Sequence, residues 1–451
     1  MNYGLSGFFL LGLLAVLFAG TVVITLVLKE LAPVARLPGM KRWLLAAGLG
    51  AGVILFAAKL LIIAGFSAFY NKPTIAVPKL TKADQVSAEP AAYTWAVLSN
   101  TVKPGVPLSS GTSRAYVWQA LPTQAVSSTD NPGFAEKVAL GEKLFSDPQL
   151  SYDGTVSCAS CHKLYQYGGA DGRAKAQGIY QQKGKRNTPT VWNAVFQRKL
   201  FWDGRVASLE EQAKGPLINP LEMGMPSFDL VVERVNSRPL YRQAFKSVFG
   251  ADSKISIDQI VEAIAAYERT LVTADSAYDR FVNGDKTALT QQQIRGMALF
   301  ESMACINCHS GPNFSVASVF SDEPPLRIFP ANPTPLEERY PLFEQVTDRG
   351  TPVRSAWRVP SLRNVALTGP WLHNGSITDL KDMVRIMAAA QLGWAGPYLL
   401  WSDKDNTLRE MSRPMPSEQQ IEDVVAFLQA LSSERLLECQ QKKASNTGED
   451  C

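Results

Sequence analysis

The sequence predicts a mainly α-helical protein in which two similar modules follow a pair of membrane-spanning helices. Three observations lead to this prediction. They are two apolar stretches near the N-terminus, two copies of one cysteine–histidine motif, and the recurrence of similar helical segments around each copy. The 451 residues also exceed one ordinary domain of roughly 100 to 200 residues, so more than one folded unit is expected. A hydrophobic content of 46% with 19% charged residues excludes a disordered chain.

Residues 1–70 predict a two-helix transmembrane hairpin. Residues 3–28 carry no charge and residues 43–70 carry only Lys59, and each stretch is long enough to cross a hydrocarbon core of roughly 30 Å. The connection between them holds four basic residues and one acidic residue, so the positive-inside rule places it in the cytoplasm. We therefore expect a protein of the bacterial inner membrane whose remaining residues lie in the periplasm. A cleaved signal peptide is the alternative, although the first stretch lacks a basic n-region.

The distribution of charge argues against a nucleic-acid partner. Five basic residues and one acidic residue within residues 1–70 account for the whole net charge of +4. The rest of the chain is therefore neutral. Binding to the phosphate backbone of a nucleic acid requires a surplus of positive charge, which this part of the chain lacks.

Two CxxCH motifs use four of the six cysteines and two of the three histidines. Their residues are Cys158, Cys161 and His162, and Cys305, Cys308 and His309. CxxCH is the attachment sequence of c-type haem, in which the thiols bind the vinyl groups and the histidine is the proximal iron ligand. A zinc or redox CxxC site is the alternative, but a structural zinc site takes four ligands from paired motifs, and these motifs are 147 residues apart. We therefore expect two covalently bound haems.

An internal repeat surrounds the two motifs. Residues 141–145 (GEKLF) precede the first motif and residues 296–300 (GMALF) precede the second. Amphipathic helices are predicted over residues 260–271 and 421–431, with Ser417 as the N-cap of the second. A helix before CxxCH that packs on a closing helix around a haem is the plan of cytochrome c. The predicted fold class is thus mainly α, with two cytochrome c-like domains in tandem preceded by the transmembrane hairpin.

These features divide the chain into five segments. In order, they are the hairpin (1–70), a periplasmic tether rich in Pro, Ser, Thr and Ala with parts docked on a folded surface (71–130), the first domain (131–285), the second domain (286–435) and a C-terminal tail (436–451). The tail contains Cys439 and Cys451, which an oxidising periplasm would join in a disulfide. Two unpaired thiols are the alternative.

The number of histidines limits how the irons are ligated. With His162 and His309 as proximal ligands, only His373 remains, so at most one haem has two histidine ligands. The other haem uses a methionine, another group or an open position, and an open position permits oxygen or peroxide chemistry. Ligand strength alone favours His373 at the second haem, while Met387 lies fourteen residues further along a segment predicted to be helical.

Residues 122–432 resemble the bacterial di-haem cytochrome c peroxidase family, which includes the methylamine dehydrogenase maturase. The resemblance rests on segments that occur in the family order, namely LSYDGTVSCASCH (150–162), RNTPT (186–190), FWDGR (201–205), SLRN (361–364) and TGPWLHNG (368–375). It implies that the first haem is peroxidatic and that the second receives electrons. It also implies that Met387, rather than His373, is the distal ligand of the second haem. The maturase has a tyrosine where this chain has Met387.

The same resemblance implies roles for three residues near the first haem. Trp202 corresponds to the family's aromatic electron relay between the haems, with a core tryptophan as the alternative. Gln212 and Glu222 correspond to the distal-pocket pair. A carboxylate suits this position because peroxide cleavage moves a proton from the proximal to the distal oxygen. A solvated surface carboxylate is the alternative for Glu222.

The resemblance also implies a calcium ion between the domains. Its ligands are the side-chain oxygen of Asn187 and the backbone carbonyls of Thr368 and Pro370, which are hard oxygen donors, with waters completing the shell.

One departure from the family concerns the loop at residues 177–185. Many members have there a distal histidine that leaves the first haem only after reduction of the second, but this loop has none. Tyr180 is expected to pack within the loop, and its approach to the iron is the alternative. We therefore expect a first haem that is open without reductive activation.

Taken together, these features predict a membrane-anchored di-haem peroxidase that reduces hydrogen peroxide to water with electrons passed from the second haem to the first. The electron donor is expected to be a small c-type cytochrome or a membrane quinol. A maturase-like enzyme that oxidises a partner protein is one alternative, and an electron-transfer cytochrome without catalysis is another.

Overall fold

The computed structural model describes residues 116–123, 134–331, 356–394, 396–402 and 407–444. The predicted hairpin and the greater part of the predicted tether lie outside the described residues. Within the described ranges, no helix combines the length and the apolar character needed to cross a membrane.

The described part of the chain is mainly helical. The α-helices are α1 (Phe134–Phe145), α2 (Cys158–Cys161), α3 (Leu209–Ile218), α4 (Phe228–Asn236), α5 (Pro239–Phe249), α6 (Ile257–Glu268), α7 (Ala277–Val282), α8 (Gln291–Ser302), α9 (Leu380–Ile386), α10 (Glu418–Gln429) and α11 (Glu434–Ala444). Short 3₁₀ turns lie at Pro148–Leu150, Ile179–Gln181, Ala194–Phe196, Cys305–Asn307 and Val365–Leu367, and a π-helix covers Met387–Gln391.

Two antiparallel hairpins accompany the helices. Strand β1 (Leu326–Ile328) pairs with β2 (Ala356–Arg358) so that Arg327 lies opposite Trp357. Strand β3 (Gly396–Ser402) pairs with β4 (Thr407–Arg413) along their full length. The first hairpin matters for function because it carries side chains into the cavity described below.

The internal repeat is a repeat of one helix crossing. In the first module α1 packs on α6, and a Cβ atom at Gly141 would lie only 1.9 Å from the carbonyl oxygen of Ala263. In the second module α8 packs on α10, and a Cβ atom at Gly296 would lie 1.8 Å from the carbonyl oxygen of Asp423. Only glycine permits such an approach of two backbones. The repeated Gly-x-x-Leu-Phe segment is thus a requirement of this crossing.

The closing helices start three residues earlier than their apolar periodicity predicts. Helix α6 begins at Ile257 and α10 at Glu418, because each has a first turn that is not buried ahead of its first fully buried residue. The predicted N-cap Ser417 is confirmed: its side chain accepts a hydrogen bond from the backbone N–H of Gln420, whose side chain caps Ser417 in return.

Each module has its own hydrophobic core. Each end of the described chain, however, is buried in the core of the module that is farther from it in sequence. Trp118 precedes the first module but is buried in the second core, in ring contact with Tyr278, Phe300, Phe314 and Phe427. Leu436 in α11 follows the second module but is fully buried in the first core. The tether thus docks on the second domain, and the segment predicted as a tail begins within a helix that packs on the first.

Helix α11 also carries one of the two tail cysteines. Cys439 is buried and disulfide-bonded, in agreement with the predicted oxidised pair. Its expected partner, Cys451, lies outside the described residues. Further contacts hold α11 on the first module, since Arg435 lies over the ring of Trp192 and Gln440 donates a hydrogen bond to the carbonyl of Gln166.

Candidate haem-binding cavity

A single cavity reaches both CxxCH motifs. His162 of the first motif and His309 of the second both line it. The predicted site residues that also line it are Asn187, Trp202, Gln212, Thr368, Pro370, His373 and Met387. The structure therefore brings together most of the residues that the sequence assigns to two haems, an electron relay and a calcium ion. Glu222 and Tyr180 lie outside this lining.

Both motif histidines are held in the orientation that a proximal ligand needs. Nδ1 of His162 lies 3.1 Å from the carbonyl oxygen of Gly169, and Nδ1 of His309 lies 3.1 Å from that of Phe314. A hydrogen bond at one ring nitrogen fixes the tautomer and leaves the other nitrogen for a metal. Burial lowers the pKa of His162 below its usual value and that of His309 to about 4. Burial thus favours the neutral imidazole at both positions, which is the form that binds iron.

The motif cysteines lie on short helical turns. In the first motif α2 begins after Ser157, which forms a reciprocal capping box with Ser160. The second motif forms a 3₁₀ turn that follows Ala304, a residue with left-handed backbone geometry. Two residues three apart on a helical turn project to the same side, so both thiols of each motif can reach one porphyrin edge.

Two arginines supply positive charge to the cavity. Arg358 is 6% exposed, and its Nε donates a hydrogen bond to the carbonyl oxygen of Phe201. Burial lowers the pKa of Arg358 to about 10, while Asp203 acts in the opposite sense. Arg327, on the opposite strand of the same hairpin, lies near Cys308 and also lines the cavity. Cations in a buried cavity favour an anionic ligand, and the propionates of a haem meet this condition.

Trp202 lies in the same cavity and is fixed at both ends. Its indole Nε1 donates a hydrogen bond of 2.8 Å to the backbone oxygen of Asn187, and its own backbone oxygen accepts one from Arg358. The cavity position agrees with the predicted relay, although the relay role itself stays a prediction.

The calcium candidates are brought together at the same cavity. Asn187 makes three described hydrogen bonds. Its side-chain Nδ2 donates to the carbonyl of Arg173, and its backbone N–H donates to the carbonyl of His373. Its backbone oxygen accepts the hydrogen bond from the indole of Trp202. Among the described residues, none donates to the side-chain oxygen Oδ1, which is the predicted ligand atom. Thr368 and Pro370 line the cavity from the facing loop. Their role as calcium ligands stays a prediction.

The second haem has two methionine candidates. Met387 opens the π-helix, and Met383 lies one turn earlier on the same face and also lines the cavity. Sequence reasoning missed Met383, although its spacing of four residues from Met387 is the signal that identifies it. Single-turn π-helices inside α-helices recur at functional sites, which favours Met387.

His373 is the alternative distal ligand of the second haem. Its ring stacks on Trp357 with the ring centroids 3.8 Å apart, and the guanidinium of Arg186 also lies over that indole.

Glu222 lies in the turn after α3, beside the first motif rather than in the shared cavity. Its carboxylate accepts a hydrogen bond of 2.7 Å from Asn219, and burial raises its pKa, an effect that Arg205 and Asn219 oppose. The alternative of an ordinary solvated carboxylate does not describe this half-buried group. Its charge also contributes to the raised pKa of both Cys158 and Cys161, so Glu222 belongs to the surroundings of the first haem.

The loop that lacks a histidine closes over the backbone of Glu222. The backbone N–H of Ile179 donates to the carbonyl oxygen of Glu222, and Gly178 approaches so closely that a Cβ atom there would lie 2.5 Å from that oxygen. Ile179 is buried in the first core, whereas Tyr180 is 63% exposed. Tyr180 therefore neither packs inside the loop nor approaches the haem cavity.

Sequence reasoning did not identify one further carboxyl group that lines the cavity. It belongs to Glu268, the last residue of α6, which is only 4% exposed.

The chemistry of the whole site agrees with the predicted cofactors. The two proximal histidines, the cysteines of their motifs and the buried cations fit two c-type haems.

Comparison with known proteins gives the same result. A family model described as di-haem cytochrome c peroxidase matches residues 135–287. The chain is 36% identical over 315 residues to cytochrome c551 peroxidase of Nitrosomonas europaea, covering 70% of this chain and 85% of that protein. It is also 36% identical over 306 residues to the methylamine utilization protein MauG of Methylorubrum extorquens, covering 67% and 80%. A solved MauG-like protein associated with microbial copper homeostasis superposes with a TM-score of 0.55 at 28% identity, covering 74% of this chain and 97% of that one.

Proposed function

The chain belongs to the di-haem cytochrome c peroxidase family, and on this basis we propose that it reduces hydrogen peroxide to water with electrons that enter at the second haem and pass to the first. The observation that carries the proposal is the single cavity lined by His162, His309 and Trp202. Haems held by these two histidines would share one cavity with the indole of Trp202, which suits transfer of electrons between an entry site and a reaction site.

The haems, once bound, supply the electron storage and the iron that reacts with peroxide. The protein's own groups determine which iron does so. His162 and His309 are held as neutral proximal ligands through their Nδ1 contacts. In this proposal Met387 would ligate the second haem, and the loop at residues 177–185 offers no histidine to ligate the first.

Acid–base chemistry is assigned to Glu222, with Gln212, which lines the cavity, as the second polar residue of the distal side. The raised pKa of Glu222 brings its ionisation nearer to neutral pH, where a group both accepts and returns a proton efficiently. Asn219 fixes the orientation of this carboxylate through Nδ2. Glu222 would accept the proton of one peroxide oxygen and deliver it to the other, so that the leaving oxygen departs as water.

We also propose the finer features that the sequence suggests. The N-terminal apolar stretches anchor the chain in the bacterial inner membrane with the haem modules in the periplasm. A calcium ion bound by Asn187, Thr368 and Pro370 holds the two modules in register. The electron donor is a small c-type cytochrome, which suits a neutral surface that gains negative charge from haem propionates, and a membrane quinol is the second candidate.

The maturase-like alternative has support of its own, because MauG of Methylorubrum extorquens matches at the same identity as the peroxidase. Met387 argues against it. A thioether ligand raises the potential of the second haem and suits acceptance of electrons from a donor, whereas the maturase has a tyrosine at this position.

The test is peroxide consumption by the purified full-length holoprotein in detergent, with a reduced small c-type cytochrome and a reduced quinol supplied in separate assays. We expect two electrons to be withdrawn from one of the donors for each peroxide consumed. Haems that can be reduced but consume no peroxide with either donor would instead identify an electron-transfer cytochrome. Removal of calcium by a chelator, followed by restoration with Ca²⁺ or Mg²⁺, tests the metal proposal in the same assay.

A further inference from the structure

The two glycine crossings align the modules residue by residue. Beyond the carbonyl contacts already described, a Cβ atom at Gly141 would lie 3.0 Å from Cβ of Tyr267, and one at Gly296 would lie 2.9 Å from Cβ of Phe427. Tyr267 therefore corresponds to Phe427. The next position along the closing helix is Glu268 in the first module and Leu428 in the second.

This pair differs in chemistry although its surroundings are alike. Leu428 is 5% exposed and belongs to the second hydrophobic core. Glu268 is as deeply buried, and it faces the cavity that contains His162, Trp202 and Gln212. The second module shows that an apolar side chain satisfies this helix crossing. A carboxyl group at the same place costs free energy of burial that the fold itself does not require.

One oxygen of the Glu268 carboxyl has no hydrogen-bond partner among the described residues. Among them, none offers a hydrogen bond to its Oε2 atom, which is fully buried. The neighbouring cation, Arg269, instead forms an ion pair of 2.6 Å with Glu210. Burial of a carboxyl without a cationic partner disfavours its charged form and so favours the protonated one. Burial raises the pKa of Glu268 to about 8, with Glu210 acting in the same sense and Arg269 in the opposite one.

Other charges near α6 are paired at the surface. Lys137 of α1 binds Glu262, and Lys214 of α3 binds Asp258. The titratable neighbours that interact with Glu268 are Glu210, Arg269, Tyr267 and Cys158. Glu268 and Glu222 are both close enough to Cys158 for their charges to contribute to its raised pKa. The two acids therefore flank the attachment site of the same haem.

We propose that Glu268 is the proton donor of the cavity beside His162 during peroxide reduction, while Glu222 acts from beside the first motif. The inference rests on the proposed function. Reduction of one H₂O₂ to two H₂O consumes two electrons, supplied by the donor cytochrome through the second haem, and two protons. Glu222 transfers a proton that peroxide itself brings, so it adds none to the cavity. Glu268 would release its carboxyl proton to the oxygen that remains after cleavage, regain a proton from solvent and release it to the same oxygen, so that both protons of the second water are supplied.

The test compares three variants of the full-length holoprotein. Glu268→Leu installs the residue of the second module and removes the acid, and Glu268→Gln keeps the volume but has no proton to release. Glu262→Gln, which removes an acid at the surface of the same helix, is the matched control. All three should retain two haems per chain. We expect both Glu268 variants to lose at least about tenfold in peroxide turnover at saturating donor, and the control to keep the wild-type rate.

Two further readouts distinguish proton donation from a packing effect. Wild-type turnover should fall as pH rises through about 8, because Glu268 then lacks its proton, and this alkaline limb should vanish in both Glu268 variants. Infrared difference spectra between oxidised and reduced protein should show a carboxylic C=O band that Glu268→Gln removes and Glu222→Gln retains. This spectroscopic readout requires no turnover.

The outcomes separate the two proposals. If the wild type consumes peroxide while both Glu268 variants match it at every pH, Glu268 is not a proton donor and the proposed function stands. Persistence of the infrared band in Glu268→Gln would likewise exclude Glu268 as the donor. If the wild type fails to consume peroxide with either donor, the proposed function is wrong and the role of Glu268 in it is wrong as well.

Discussion

The indole nitrogen of Trp202 donates a hydrogen bond of 2.8 Å to the backbone oxygen of Asn187. The residue assigned to electron transfer is thereby tied to the residue assigned to calcium. Because the backbone N–H of Asn187 in turn donates to His373, a chain of contacts runs from the first module through Trp202 to the loop that precedes Met387. The loop and the indole are therefore connected through the backbone of Asn187.

Replacement of Trp202 by phenylalanine should slow electron transfer between the haems. Phenylalanine is harder to oxidise and lacks the N–H that binds Asn187, so both the electronic path and the positioning are lost. Stopped-flow spectroscopy should show normal reduction of the second haem and delayed oxidation by peroxide. The control is Trp394→Phe, since Trp394 also donates its indole hydrogen to a carbonyl, that of Met303, but does not line the cavity. Equal rates in both variants would assign Trp202 to packing alone.

The first haem should be high-spin in the fully oxidised protein and should react with peroxide before any reduction. The reason is that its loop carries no histidine and presents Ile179 to the core, with Tyr180 exposed to solvent. Electron paramagnetic resonance of the diferric protein checks this directly. Two low-spin signals, with activity that appears only after reduction, would contradict it.

Replacement of Met387 by histidine should lower the reduction potential of the second haem, because a thioether favours ferrous iron more than a second imidazole does. Turnover with a high-potential donor should then decrease. Met383→Leu is the matched control, since Met383 lines the same cavity from one turn earlier. A shift in potential in Met383→Leu together with none in Met387→His would transfer the ligand role to Met383, and no shift in either would return it to His373.

Glu222→Gln should slow peroxide reduction by about 10² to 10⁴, the usual contribution of general acid–base catalysis. Glutamine retains the volume and the contact with Asn219 but cannot accept a proton, so haem content and spectra should stay normal. Steady-state kinetics at saturating donor provide the measurement. Wild-type turnover in this variant would remove Glu222 from the mechanism.

The stability of the holoprotein should fall as pH rises from about 4.5 to about 8, in part through Glu268. Its pKa is raised in the folded state, so the folded protein holds a proton that the unfolded chain releases above its ordinary pKa of 4.5. This contribution is complete at lower pH and is lost through the stated window. Thermal unfolding of Glu268→Gln should therefore depend less on pH than that of the wild type. Parallel curves for the two proteins would mean that Glu268 is ionised in the folded state.

The sequence predicts the helical repeat well because its determinants are local. The N-cap Ser417 acts on the backbone next to it, and the repeated Gly-x-x-Leu-Phe segment can be recognised from the order of its residues alone; both lie where expected. The position of Trp118 could not be predicted in the same way. It is buried in the second core, and which core it joins depends on the path of the whole chain.

The residues of the candidate site also differ in how far the sequence predicts them. The motif histidines follow from spacing alone, whereas the importance of Glu268 appears only after the two modules are aligned in space. As one glutamate in an amphipathic helix, it looks like the solvated acids Asp258 and Glu262 beside it, and only tertiary burial separates it from them.

The crossing of the chain ends has a consequence for the order of events during biosynthesis. A chain made from its N-terminus exposes Cys158 and Cys161 long before Leu436 exists, and the first core lacks its last large apolar side chain until then. The second core, in contrast, has Trp118 available from the start. The buried set of the first core is thus complete only once the C-terminal helix has been made.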